Sequence, residues 1–376
     1  MMVLAIIFVS FFAESETDRS PNLDVVLRRI GEQYVRQTVE GAESFDEAAS
    51  MVGIDSKELQ KICIALNIDT PFEQRPAVEP VRLSQASLLA DNDYVPDVFL
   101  SYGGLTPYFI IVDKSSYTLY LLRQENGRRT IVDSFACKTG RNHGDKLQEG
   151  DQRTPEGVFF FTSIYGRDDI LKLVGSEKAY LYGDKAFATN FPNTIDRIQG
   201  KDGGGIWLHG TDRSFEDMSP NDTRGCVVTT NETIAILSDY ITLYSTPMII
   251  VDTLNMVPRQ KVAETADALL EQVEDWRKAW AGKKLDDYSS YYSDDFHAQG
   301  MNRDQWISRK KNIFNAYRID HIALKNISVY RHNEGFIIQF VQDYAASNTS
   351  GAGIKTLYLM RENNSWCIVT ENFRRI

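Results

Sequence analysis

From Tyr108 onward the apolar residues change their spacing, and that change most limits what this chain can fold into. Upstream they recur every three or four positions, the period of a helix. Downstream they come in short bursts divided by turn residues. YFIIVDKSSYTLYLLRQENGRRTIVDSFACKTG reads as strand, short turn, strand, Glu-Asn-Gly turn, strand. VFFFTSIY, GGIWLHG and TPMIIVDT repeat the burst, with one amphipathic helical stretch, ETIAILSDYI, among them. Residues 107–252 are therefore expected to form a mainly-β domain, a barrel or curved sandwich.

The flanks read differently. Leu23 to about Leu66 has helical periodicity, with Ser44 and Asp55 placed as N-caps. Thr70 to about Asp97 carries Pro71, Pro76, Pro80 and Pro96 and reads as a linker, so residues 20–100 are expected to be a helical region plus linker. Past a junction at Val257 to Gln260, TADALLEQVEDWRKAWA is strongly amphipathic. Helical segments are expected over Asp286–Phe296 and Asn302–Phe314, then strands after Ile319 with Asn-Glu-Gly and Glu-Asn-Asn turns. Residues 262–376 thus read as a separate α+β domain, and the whole chain as multidomain.

Residues 1–15 resemble an export leader: Val3–Ala13 is apolar and is followed by the polar ESETDRS. The run is too short to span a bilayer comfortably and fits a secretory h-region, although no Lys or Arg precedes it and Phe11 stands where a small residue would aid cleavage. An exported protein is expected. A net charge of −11 with no long basic run argues against nucleic acid or an anionic membrane surface as a main partner. That also tells against a DNA-binding reading of the N-terminal helices.

Cys63, Cys137, Cys226 and Cys367 show no short paired spacing, so neither a zinc knuckle nor a disulfide framework is read from them. No cofactor is implied. A zinc site from Cys226, His209 and His143 lacks ligand spacing, and no metal is expected. Cys226 alone lies in a Gly-flanked turn, Thr223-Arg224-Gly225-Cys226-Val227, where an accessible thiol belongs. His209 ends the apolar run Ile206-Trp207-Leu208 and precedes Gly210. A thiol needs a base to become a good nucleophile at neutral pH, and imidazole is best poised to serve. Arg224 adds positive charge that favours thiolate and could engage a substrate carboxylate. From spacing alone, a turn cysteine and an edge histidine without function are equally open readings, and His143 is a rival base or a solvated loop residue.

His209-Gly210 followed by Thr223-Arg224-Gly225-Cys226-Val227 resembles the signature of the L,D-transpeptidase catalytic (YkuD) family: His, a loop, then Ser/Thr-x-Gly-Cys. The strands from Tyr108 to Tyr120 agree, as do Thr139-Gly140, Gly144-Asp145-Lys146, Glu149-Gly150-Asp151 and Arg153-Thr154-Pro155-Glu156-Gly157, which resemble the loop of a divergent branch. The resemblance implies Cys226 as nucleophile, His209 as base and Gly210 as the carbonyl that orients the imidazole. It implies an oxyanion hole from the N–H groups of Arg224, Gly225 and Cys226, with Thr223 supporting the turn. It also implies the substrate, peptidoglycan stem tetrapeptides cleaved between the diamino acid and D-alanine in cell-wall biogenesis. Arg224 replaces the histidine often found before Gly-Cys, and Val228 stands where many members carry Arg or Asn. The acceptor is therefore left between an amine, giving transpeptidation, and water, giving L,D-carboxypeptidation. A non-catalytic peptidoglycan-binding scaffold is a third reading.

The segment from 262, through Trp276, Trp280, Asp286, Tyr288, Tyr292, Phe296 and Trp306, resembles the NTF2-like fold. That fold implies a cone with a pocket for stem peptide or glycan, or a surface for pairing into a homodimer. The combination resembles the cell-shape L,D-carboxypeptidases of helical diderm bacteria.

Overall fold

The computed structural model describes residues 93–376 apart from Asn126, together with Phe45–Val52 and the single positions Val35, Thr38 and Leu59. The expected leader and most of the expected N-terminal helical region lie outside the described residues. The chain divides into two compact units, Met1–Arg82 and Leu83–Ile376. In the first, Phe45–Val52 is a helix, α1, with Ala48 and Ala49 buried.

In the second unit the end of the expected linker is strand. β1 (Tyr94–Pro96) and β2 (Phe99–Ser101) precede the β-rich region. There follow β3 (Tyr108–Asp113), β4 (Thr118–Glu125), β5 (Arg128–Ala136) and β6 (Gly157–Gly166). Short helices α2 (Arg167–Val174) and α3 (Ser176–Ala179) lead to β7 (Lys185–Thr189). α4 (Thr194–Ile198), β8 (Trp207–His209), β9 (Val227–Val228), α5 (Asn231–Ser238) and β10 (Pro247–Val251) complete the region. These strands form one eight-stranded sheet ordered β5-β4-β3-β10-β6-β7-β8-β9, in which β10 runs parallel to β3 and β8 parallel to β9. A register shift between Phe161 and Ser163 bends β6, so the sheet curves toward its β7–β9 end.

The unbroken apolar run of β3 is explained by cover on both faces. Ile110 and Val112 point into one core with Phe159, Phe187, Leu208 and Val227. Phe109 and Ile111 point the other way, into a core shared with Tyr330, Ile337, Tyr358 and Val369 of the C-terminal domain.

That domain begins directly after β11 (Met256–Pro258), which pairs antiparallel with β1. α6 (Arg259–Ala281) buries Val262, Ala266, Leu269, Val273, Trp276 and Trp280, a stripe at alternating spacings of four and three. α7 is shorter than the sequence suggests, Leu285–Ser290; a small hairpin, β12 (His297–Ala298) with β13 (Met301–Asn302), separates it from α8 (Arg303–Ala316). A meander of β14 (Ile319–His332), β15 (Gly335–Ala346), β16 (Thr349–Glu362) and β17 (Ser365–Arg375) follows. β2 adds to its free edge, giving the order β17-β16-β15-β14-β2. One sheet face packs on the helices around Trp276, Phe296 and Phe340, and the other forms the shared core. The helix-side interior also holds a charged cluster. Glu371 accepts from Tyr292 Oη at 2.9 Å and pairs with Lys355, while Lys310 Nζ sits 4.5 Å from the Trp280 ring centroid. Burial depresses the Lys310 pKa to about 8. No helix among the described residues is long and apolar enough to cross a membrane.

Candidate active site

The parallel ladder between β8 and β9 brings the two halves of the motif together. Leu208 is level with Val227, and His209 with Val228. Leu208 and Val227 are fully buried in the sheet core, so alternation turns Trp207, His209 and Cys226 to the opposite face. Cys226 falls one step before β9, beside the strand that carries His209.

The imidazole of His209 is buried, and its Nδ1 lies 2.7 Å from the Gly210 carbonyl oxygen. A carbonyl only accepts, so Nδ1 carries the proton and Nε2 presents a lone pair. Burial drives the His209 pKa down to about 4, opposed by that hydrogen bond, so the ring is neutral at neutral pH. Gly210 admits no side chain, since a Cβ there would sit 2.2 Å from Asn231 Oδ1. Asn231 opens α5 and also accepts from the Asp184 N–H at 3.1 Å.

Cys226 keeps part of its surface open, and its thiol donates to the Gly205 carbonyl at 3.3 Å. The surrounding protein pushes the thiol up to about 11, against the opposing pull of the Trp207 N–H, Arg224 and Lys146. At rest the pair is thus neutral thiol and neutral imidazole.

The nucleophile turn is tied by Thr223, whose hydroxyl donates to the Cys226 carbonyl at 2.7 Å and accepts from the Gly225 N–H at 3.0 Å. Of the three N–H groups expected to form an oxyanion hole, that of Gly225 thus has an intramolecular acceptor in Thr223. Gly225 has φ +128°, and a Cβ there would lie 2.7 Å from the Arg153 carbonyl oxygen. The loop ending in Thr154-Pro155-Glu156-Gly157 therefore backs directly onto the turn. It is joined to it by Arg141 N–H to Thr223 O and Thr223 N–H to Thr139 O, each 2.9 Å. His143 is exposed on this loop. Val228 is buried.

Sequence reasoning missed Tyr182. Its ring centroid lies 4.7 Å from that of His209 and 5.2 Å from that of Trp207, which in turn lies 5.1 Å from Tyr165. Burial holds the Tyr182 phenol above its ordinary pKa; Cys226 adds to this and Arg224 pulls it back, which places Tyr182 among all three motif side chains. It sits in the turn between α3 and β7 with no motif around it, so spacing carried no signal. Among the described residues no cluster of three or more His, Cys, Asp or Glu could hold a metal ion.

The L,D-transpeptidase catalytic domain (YkuD) model matches residues 107–250, the range that holds both His209 and Cys226. The chain carries a YkuD domain. The model of the Cds6 C-terminal NTF2-like domain matches residues 268–372. Escherichia coli "Putative L,D-transpeptidase YafK" is 28% identical over 138 residues, 36% of this chain. The match covers 48% of YafK, so the chain spans about half the length of the curated relatives it matches. Two solved structures align with about three quarters of the chain. Bdellovibrio bacteriovorus Bd1075 is 29% identical with TM-score 0.63, covering 76% of this chain and 99% of that one. Campylobacter jejuni Pgp2, titled a helical cell shape determining protein, is 25% identical with TM-score 0.55, covering 77% and 99%.

Proposed function

We propose that the YkuD domain is a cysteine acyl-transferase of the cell envelope, acting in the periplasm on peptidoglycan tetrapeptides in the service of cell shape. The observation that carries this reading is the orientation of His209. Its Nδ1–H is held by Gly210, leaving the Nε2 lone pair on the sheet face that also bears Cys226.

In this mechanism the Cys226 thiol turns from the Gly205 carbonyl and gives its proton to His209 Nε2. The sulfur attacks the carbonyl carbon of the diamino acid. The resulting oxyanion is met by the N–H groups of Arg224 and Cys226. Collapse breaks the bond to D-alanine, whose nitrogen leaves with the proton from His209, and a thioester remains on Cys226. An acceptor then loses a proton to His209 and attacks the thioester, restoring the thiol. Arg224, exposed beside Tyr182, pairs with the terminal carboxylate of the donor. The Thr223 hydroxyl, donating to the Cys226 backbone carbonyl at 2.7 Å, ties the turn that carries the sulfur.

Purified protein given a disaccharide tetrapeptide is expected to release D-alanine, and Cys226→Ala to abolish release. Full activity in the alanine variant would sink the mechanism. Saturable binding to sacculi with no turnover in the parent would favour a scaffold instead. An added amine decides the acceptor, since cross-linked or exchanged product means transpeptidation and tripeptide alone means carboxypeptidation.

A further inference from the structure

The C-terminal domain reaches the catalytic domain's working loops through one buried histidine. His332, at the end of β14, is fully buried, and its ring occupies the space a side chain at Gly157 would need: a Cβ there would lie 2.5 Å from the imidazole. The conformation at Gly157, φ +130°, is one that L side chains rarely adopt. The last glycine of Thr154-Pro155-Glu156-Gly157 is thus the seat of a residue from another domain. His332 Nδ1 accepts from the Val158 N–H at 2.9 Å, so the proton is on Nε2, which faces Asp196 Oδ1 at 3.0 Å.

From Asp196 the link continues in charged steps. Lys201 Nζ lies 3.2 Å from Asp196 Oδ1 and 2.5 Å from Asp145 Oδ2. All three are buried or largely so, which makes the steps strong and costly to leave incomplete. Two segments at the nucleophile hang from them. Lys201 anchors the stretch to Gly205, whose carbonyl receives the Cys226 thiol. Asp145 accepts from the Glu156 N–H at 2.8 Å and precedes Lys146, whose ammonium is paired with Asp151 at 2.7 Å and adds a small pull toward the Cys226 thiolate. Asn333, next to His332, adds a bond to Gln199 at 3.2 Å.

We propose that His332 is a positioning residue for the nucleophile, supplied by the NTF2-like domain, which sets the reactivity of Cys226 through Asp196, Lys201 and Asp145. The proposal rests on the Cys226 reading above. Losing His332 leaves the Val158 N–H and Asp196 short of a partner, and the loops bearing Lys146 and Gly205 relax together. Lys146 is itself held by Asp151 at 2.7 Å, so the expected loss of thiolate comes from displacement of this loop and of the Gly205 carbonyl relative to the sulfur.

The test uses the full chain and needs no substrate: alkylation of Cys226 by iodoacetamide, read on its own peptide by mass spectrometry from about pH 7 to about pH 9.5. His332→Phe keeps an aromatic ring and removes the hydrogen bonds to Val158 and Asp196 together with the contact to Asn193. It is expected to slow alkylation about fivefold or more at each pH and to move the profile to higher pH. His332→Gln, which restores a donor toward Asp196, is expected to recover most of the rate. Parent-like rate and profile in a folded His332→Phe protein would overturn the proposal. Should that variant not fold, Lys201→Met carries the same expectation and the same overturning result. Because alkylation is independent of turnover, a parent that alkylates but releases no D-alanine would count against the proposed function alone.

Discussion

The Nδ1 of His209 lies 2.7 Å from the carbonyl oxygen of the next residue, Gly210, so the imidazole proposed as the base is oriented by its own backbone rather than by a carboxylate. That carbonyl is itself fixed, because the Gly210 N–H donates to Lys185 O at 3.2 Å and Asn231 crowds its α-carbon. The consequence is a pH prediction. The base works only when neutral, and burial lowers its pKa to about 4. The rate of D-alanine release, as kcat/KM, should therefore fall with acidification through about pH 4, well below the ordinary histidine value of about 6.5. An acid limb near the ordinary value would mean an imbalance between burial and solvation that this geometry does not contain.

Gly225→Ala should be damaging out of proportion to its size. The new methyl would sit 2.7 Å from the Arg153 carbonyl oxygen, and the residue would have to hold φ +128°. Backbone strain of this kind costs about 1–3 kcal/mol, and relief would come only by moving the turn off the loop behind it. Urea unfolding should show the loss in stability, and D-alanine release should drop at least about tenfold. Parent-like values in both would show that the turn and the loop are not in register as described.

Much of the eight-stranded sheet was legible because its strands are apolar bursts between turn signals, and His209 and Cys226 stood out as candidates because a Gly-flanked thiol is unusual. What was illegible depends on contacts far apart in sequence. Gly225 looks like any oxyanion-hole donor until Thr223 is seen to occupy its N–H at 3.0 Å. Tyr182 has no motif and is recruited only by the approach of β8. The final glycine of Thr154-Pro155-Glu156-Gly157 resembles a loop glycine, yet the group that requires it, His332, arrives from another domain. β1 and β2 lie beside Pro96 and looked like linker, because three-residue strands derive their stability from partners rather than from their own propensity.

Separating the two C-terminal layers should expose the cost of the shared core. Phe109, Ile111, Val158 and Ile249 are fully buried, and the residues facing them include Tyr330, Ile337 and Tyr358. A chain ended after Pro258 would leave that sheet face open, a contiguous apolar patch of the kind that drives association. Such a truncation is expected to aggregate, or to bind a hydrophobic dye and lose cooperative unfolding. A soluble, dye-silent fragment with full D-alanine release would show that the sheet needs no second cover.

Thr223 offers the sharpest separation between support and chemistry. Its hydroxyl makes two bonds at once, donating to the Cys226 carbonyl at 2.7 Å and accepting from the Gly225 N–H at 3.0 Å. Thr223→Val keeps the shape but strands both groups, one of them at a buried glycine, and an unsatisfied buried polar group costs about 1–3 kcal/mol. The freed Gly225 N–H would also be a new, misplaced donor at the turn. Thr223→Val is therefore expected to lower kcat for D-alanine release strongly with little change in KM, because it disturbs the developing oxyanion more than substrate docking. Thr223→Ser keeps the hydroxyl and loses only a methyl, so it should stay within about threefold of the parent. If valine and serine variants behave alike, the turn is held by the Arg153 loop and not by this hydroxyl.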